Sequence, residues 1–196
     1  MCIRDSFDAS FLGIGVEGAQ FFANAADTES TGLDVVLAYK IDMANRSDLS
    51  FTLAGNLNSL EVTDISNGNL DRNTFFGPRE QSLLEDAAPT SKFAFNAVYN
   101  TPKFSASLGL TRFGEVSYLS FDNATRVNYD SKITTDLTLT ARLSDNINFT
   151  LGSNNLFNVY PTQQIASDNT DSGGFWDSVQ MGFGGAYYFA RIGFSF

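Results

Sequence analysis

The stretch Ile133-Thr134-Thr135-Asp136-Leu137-Thr138-Leu139-Thr140-Ala141-Arg142-Leu143 decides how this chain is read. Ile133, Thr135, Leu137, Leu139, Ala141 and Leu143 alternate with Thr134, Asp136, Thr138, Thr140 and Arg142. Successive side chains of a strand point to opposite faces, so a sustained period of two predicts a β-strand with one apolar and one polar side.

The same alternation recurs to either side. Upstream, Leu33, Val35, Leu37, Tyr39 and Ile41 oppose Asp34, Val36, Ala38, Lys40 and Asp42. Leu49, Phe51, Leu53 and Leu57 oppose Ser50, Thr52, Asn56 and Asn58. Phe93, Phe95, Ala97 and Tyr99 oppose Lys92 and Asn96, and Phe104, Ala106, Leu108 and Leu110 oppose Ser105, Ser107, Gly109 and Thr111. Downstream, Ile147, Phe149 and Leu151 oppose Asn148, Thr150 and Gly152. The last run sets Tyr188, Ala190, Ile192, Phe194 and Phe196 against Phe189, Arg191, Gly193 and Ser195. Gly15 to Ala23 offers one further strand through Ala19, Phe21 and Ala23, which makes about eight. No run sustains a helical period.

The spacing of these runs narrows the class. Many approach ten residues, the length of a tilted membrane strand, against about five or six for soluble strands. Connections alternate between short (Met43 to Ser47, Asn100 to Lys103, Ser144 to Asn146) and long (Glu61 to Ser91, Gly114 to Asp130, Asn154 to Phe183). Outer-membrane barrels are laid out in this way, with tight periplasmic turns and long extracellular loops. The fold expected is all-β, an antiparallel transmembrane β-barrel sheet with every long loop at one end and a periplasmic C-terminus. Lipid would take Ile133, Leu137, Leu139, Ile192 and Phe194. The lumen would take Asp136, Arg142 and Arg191. Hydrocarbon cannot satisfy an unpaired backbone group, so such a sheet must pair all of them. Arg112 falls on the apolar side, near a strand end from which it can snorkel to the interface.

Composition excludes several functions. The chain has 196 residues, 43% of them hydrophobic, with a mean hydropathy of −0.10. No stretch approaches the roughly 18 consecutive apolar residues of a spanning helix. It has 19 Phe and 7 Tyr but only 1 Trp. Many aromatics among small polar residues suit strands and loops. A net charge of −10 and a pI of about 4.3 argue against nucleic acid as partner, since phosphate binding needs clustered Lys and Arg. There is no His, the commonest general base and metal ligand. No nucleophile constellation and no phosphate-binding glycine pattern is present, so no catalytic residue, metal ligand or cofactor site is expected. The single Cys2 cannot form an internal disulfide, and no apolar segment precedes it as in a lipid anchor or signal peptide. Residues 1–6, MCIRDS, fit nothing that follows, resemble an artefact found at the ends of metagenomic genes, and are expected to be a non-native leader. The domain proper is residues 7–196.

Four segments, in order, resemble TonB-dependent outer-membrane receptors. AQFFANAADTESTGLDVVLAY (Ala19 to Tyr39) is similar to an extracellular loop of that family leading into a strand. SKFAFNAVYNTPKFSASLGLTRFGEV (Ser91 to Val116) is similar to a later hairpin. GSNNLFNVYP (Gly152 to Pro161) resembles the Asn-Leu-Phe-Asn box that ends the family's penultimate strand. YYFARIGFSF resembles its last strand, closing on a terminal Phe. The resemblance covers nearly the whole chain after residue 15. It implies the C-terminal part of a barrel of about 22 strands around a plugged lumen. No TonB box or plug domain is found in the chain. The implied activity is TonB-coupled uptake of a scarce solute, such as an iron chelate, vitamin, peptide or glycan fragment, across the outer membrane of a Gram-negative bacterium. Implied partners are outer-membrane lipid, the TonB complex through an upstream part, and the barrel-assembly machinery, which would read Phe194 and Phe196 on the C-terminal strand.

Each candidate residue has a plainer role beside it. Asn154, Asn155, Leu156, Phe157 and Asn158 suit a structural turn better than a ligand contact, because Asn tolerates special turn geometry. Phe175 and Trp176 could stack on a flat ligand, or pack their own loop. Arg79 in FFGPRE (Phe75 to Glu80) could hold an anion, or pair within the loop. Ser167 to Ser178 carries Asp168, Asp171 and Asp177 around Gly173 and Gly174, but the spacing fails the calcium-loop pattern. Two other readings compete with the receptor. One is a complete eight-stranded barrel with a structural or adhesive role, whose lumen would need bulkier side chains than the Ser, Thr, Gly and Asn here. The other is an outer-membrane enzyme, disfavoured by the lack of His.

Overall fold

A computed structural model describes residues 2–5, 19–22, 26–66, 76–164, 175–176 and 179–195. The alternating runs become β3 (Ala26–Met43), β4 (Ser47–Ile65), β5 (Ser91–Asn100), β6 (Phe104–Phe113), β9 (Lys132–Ser144), β10 (Ile147–Asn154) and β11 (Tyr187–Phe194). They form one seven-stranded sheet in the order β11-β10-β9-β6-β5-β4-β3. Each paired strand whose register is defined runs antiparallel to its neighbour. Among the described residues the sheet is open, with β3 and β11 at its edges.

The eighth strand is not in this sheet. Of Gly15 to Ala23, the described residues form β2 (Ala19–Phe22), which pairs with β1 (Cys2–Asp5) in a separate sheet, Cys2 opposite Phe22. Two short elements within the long connections carried no sequence signal. They are α1 (Pro78–Glu85) and a hairpin of β7 (Val116–Leu119) with β8 (Arg126–Tyr129).

By internal contacts the chain forms two units. One holds residues 1–31, 59–87 and 117–127; the other holds 32–58, 88–116 and 128–196, and with them most of the seven-stranded sheet. In this sheet tight turns join β3 to β4, β5 to β6 and β9 to β10 at one end, while the long connections leave and return at the other. Asn45 and Arg46 take positive φ (62° and 57°) in the first turn. In the second, the Thr101 N–H and hydroxyl both donate to the Phe104 carbonyl (2.7 and 2.9 Å). Arg142 donates from Nη1 to the Pro102 carbonyl of that turn at 3.0 Å.

The registers line up the alternation of every strand. Tyr99, Ala106, Leu139, Leu151 and Ala190 form one cross-strand row with Leu49. Phe104, Ala141, Phe149 and Ile192 form the next towards the tight turns. Asp48, Asn100, Ser105, Thr140, Thr150 and Arg191 form a row on the opposite face. The residues expected to face lipid thus share one face, and Asp136, Arg142 and Arg191 share the other. A slip of one residue in any strand would mix them, so the pattern itself fixes the register. The polar row is bonded across strands: Asn100 Nδ2 donates to Asp48 (3.1 Å), Ser105 to Asn100 (2.9 Å), and the hydroxyls of Thr140 and Thr150 lie 3.0 Å apart. Two glycines let a ring lie flat on a neighbouring strand. Phe93 covers Gly55 on the apolar face and Phe189 covers Gly152 on the other, each closely enough to exclude a Cβ.

Buried apolar residues lie elsewhere. Phe76, Val116, Val127, Tyr129 and Met181 are all in the long connections, whereas Ile133 (56%), Ile192 (58%) and Phe194 (67%) on the sheet stay exposed.

Candidate functional site

The largest feature that demands a partner is the apolar face itself. Leu53, Leu57, Phe93, Tyr99, Phe104, Ile133, Leu139, Leu151, Tyr188, Ile192 and Phe194 lie on it and are exposed; Leu137 is half-buried. Burying one such side chain is worth about 1.5–3 kcal/mol. Half-exposure at eleven positions leaves on the order of 10 kcal/mol ungained, comparable with the whole net stability of a domain. A shallow apolar depression of about 280 Å³ lies among Leu137, Leu139, Leu151 and Tyr188, without the convergent polar groups that select a solute. No helix among the described residues is long and apolar enough to cross a membrane.

The Asn154-Asn155-Leu156-Phe157-Asn158 segment caps the long-connection end of β10. Asn155 (φ 52°) and Asn158 (φ 56°) occupy the left-handed region, which Asn tolerates better than most residues. The Asn155 side chain closes a local ring, donating to the Val159 carbonyl (2.7 Å) and accepting from the Val159 N–H (2.9 Å). Its backbone N–H donates to Asp136 Oδ1 at 2.7 Å, and the Leu156 N–H to the Thr135 carbonyl at 2.7 Å. Asn158 Oδ1 accepts from the Ala186 N–H (2.9 Å), and the Tyr188 hydroxyl donates to the Leu156 carbonyl (3.1 Å). Nearby Gly185 has φ 70° and no room for a Cβ beside Tyr160 and Asn158. These bonds tie β9, β10 and the approach to β11 together and commit the Asn155 amide and the Asn158 side-chain carbonyl oxygen to the fold. Phe157 alone of its large side chains points outward, 71% exposed.

The loop candidates fall in different units. Trp176 stacks on Tyr160 (4.7 Å, 23°), with Phe175 edge-on to it at 6.2 Å. Phe175 is exposed, and its carbonyl accepts from the Gln164 N–H at 3.0 Å. Arg79 belongs to the other unit, on α1. Its guanidinium lies 4.0 Å over the Phe121 ring, with Nη1 4.0 Å from Glu80, which also caps α1 by accepting from the Gly77 N–H (3.0 Å). Phe194 pairs with Ile147 at the edge of the sheet. Phe75, Asp168, Asp171, Gly173, Gly174, Asp177, Ser178 and Phe196 lie outside the described residues.

Several anchoring residues gave no sequence signal, because each acts on backbone groups remote in sequence. Gln180 is buried and donates from Nε2 to the carbonyls of both Gly114 and Asp130 (2.8 Å each), joining the end of β6 to the start of β9. The Ser82 hydroxyl accepts from the Leu119 N–H at 2.9 Å, and Glu85 accepts from the Val62 N–H at 2.9 Å. Asp122 holds the turn between β7 and β8, accepting from the N–H groups of Ala124 (2.9 Å) and Thr125 (2.7 Å) and from the Thr125 hydroxyl. These bonds, the hydroxyl first, hold its carboxyl below the usual carboxylate range. No group of three or more potential metal ligands occurs among the described residues. No family model matches the chain, and neither a curated protein nor a solved structure matches it.

Proposed function

We propose that the seven-stranded sheet is a stretch of outer-membrane β-barrel wall, and that the whole protein is a TonB-dependent receptor for active uptake of a scarce solute. The observation that carries this reading is the apolar face, continuous across antiparallel strands in register, with eleven large apolar side chains exposed and, among the described residues, burial confined to Thr135 and Ser153 at its long-connection end. Lipid would cover it without any second protein layer. The clustering of long connections at one end supports an extracellular side there. In this reading the wall does no chemistry. The loops bind solute, the polar face lines the lumen, an upstream plug domain gates it through TonB, and the C-terminal strand is read during barrel assembly. The four segments quoted above support the family. An open edge at β3 and β11 favours an arc of a larger barrel over a closed eight-stranded one. Sequencing the gene upstream of Phe7 tests the proposal. A plug domain in frame is expected. A signal peptide directly before Phe7 would instead support a complete small barrel.

A further inference from the structure

Between β4 and β11, the paired residues of the apolar face include one charged side chain, Arg112. It shares a cross-strand row with Phe93 and Ile133. Lys92, Lys132, Asp136, Arg142 and Arg191 all fall on the polar face. An arginine at the midplane of a lipid-facing surface would cost about 2–4 kcal/mol, falling towards zero at the interface, so its row marks a boundary. The local geometry agrees. Arg112 Nη1 donates to the Ser91 Oγ at 3.2 Å, and Ser91 lies one row further towards the long connections. The guanidinium therefore reaches away from the apolar rows, as a snorkelling side chain does. Phe93 leans the other way, over Gly55, and Arg112 is exposed. Ser91 is the one hydrogen-bond partner of the guanidinium among the described residues, so further N–H donors of its planar fork remain for an oxygen-rich anion.

We infer that Arg112, oriented by Ser91, binds the phosphate of an anionic lipid headgroup at the long-connection end of the sheet, and so sets the height of the sheet in the bilayer. This rests on the membrane reading above. Nonspecific attraction does not supply the affinity, since a chain of net charge −10 repels anionic lipid. The full-length protein that carries this chain, purified in neutral detergent, is titrated with short-chain phosphatidic acid and, as control, phosphatidylcholine, with lipid retention read by native mass spectrometry. Wild type is expected to retain phosphatidic acid preferentially. Arg112→Gln should weaken that retention about tenfold or more, the size of one lost charge-assisted hydrogen bond. Lys132→Gln, on the polar face, should not weaken it. Ser91→Ala keeps the charge but frees the guanidinium, and should weaken binding by a smaller factor even if Arg112→Gln fails to fold. Equal retention of both lipids by wild type, unchanged binding in Arg112→Gln and Ser91→Ala, or an equal loss in Lys132→Gln would overturn the inference and leave the membrane reading standing. A chain that folds as a soluble particle without detergent or lipid would overturn both.

Discussion

The seven-stranded sheet and the long connections at its end follow opposite rules. On the sheet, large apolar side chains such as Leu139, Leu151 and Ile192 are exposed, and polar ones bond to each other across the opposite face. In the connections, Tyr129, Val127 and Met181 are buried, and Gln164 and Gln180 turn their amides inward onto backbone carbonyls. The connections behave as protein does in water, where irregular backbone must find side-chain partners if it is to be buried. Between its two edges the sheet satisfies its backbone by strand pairing, and large side chains of its apolar face stay exposed. The two halves of the contrast respond differently to substitution.

The largest effect is expected on the sheet. Leu139→Arg places a charge in the middle of the apolar face. In a bilayer it should cost about 2–4 kcal/mol, while Thr138→Arg on the polar face should cost much less. Urea titration of the full-length protein in lipid vesicles measures both. Equal costs would abolish the asymmetry between faces.

In the connections, Gln180→Ala removes two hydrogen bonds and leaves the Gly114 and Asp130 carbonyls to find other donors. A loss of about 1–3 kcal/mol is expected. It should show in hydrogen exchange of the 114–130 connection while β5 and β6 keep their protection. Loss of protection throughout the sheet would mean that the two regions are not separable in this way.

Asn155 lies where the two regimes meet. Asn155→Gly keeps the positive φ but loses the side-chain ring to Val159; Asn155→Ala loses both. About 1 kcal/mol should separate wild type from the glycine variant, with a further fraction for alanine, by thermal or urea unfolding. An alanine variant as stable as wild type would show that the turn tolerates either.

The smallest effect is a pH dependence. Asp122 has its carboxyl held below the usual range by the Thr125 hydroxyl and the N–H groups of Thr125 and Ala124. A depressed carboxylate contributes stability above its unfolded value, near pH 4, and loses it as pH falls through the folded value. The turn between β7 and β8 should therefore loosen on acidification below about pH 4, and Asp122→Asn should flatten that response. Amide exchange at Ala124 and Thr125 reports it, and an unchanged profile in the variant would assign the response to another group.

How legible each region was follows from the same contrast. Seven strands could be read because Ile133 to Leu143 and its counterparts repeat a period that only a strand with two unlike faces uses. Short and long spacing then gave the ends of the sheet. The extent of β3 and β4 could not be read, because Thr28 to Thr31 and Glu61 to Ile65 lack alternation. Both strands run on there without an apolar face to mark them. The hairpin holding Asp122 and the helix holding Ser82 were invisible for a related reason. Four-residue strands and an eight-residue helix are too short to show a period. They are held by single side chains bonding to backbone far along the chain. The expected eighth strand shows the limit of pattern alone: Ala19, Phe21 and Ala23 alternate, yet the β2 residues among them pair with β1 rather than β3. Among the candidate site residues, Asn155 and Asn158 could be read because their turn geometry is local. The Tyr160–Trp176 stack was not, because it is not.

The central claim is that the apolar face meets lipid. A scan of single cysteines along residues 133–143, in the full-length protein with its other cysteines replaced by Ser and reconstituted into vesicles, tests it directly with spin labels. Collisions with oxygen, which concentrates in lipid, are compared with collisions with a water-soluble nickel complex. Ile133, Leu137, Leu139, Ala141 and Leu143 should favour oxygen and the even positions nickel; Thr135, buried beside the Leu156 turn, is left out of the comparison. Shielding of those five positions from both reagents would mean that protein covers the face, and the account of the sheet as membrane wall would be wrong.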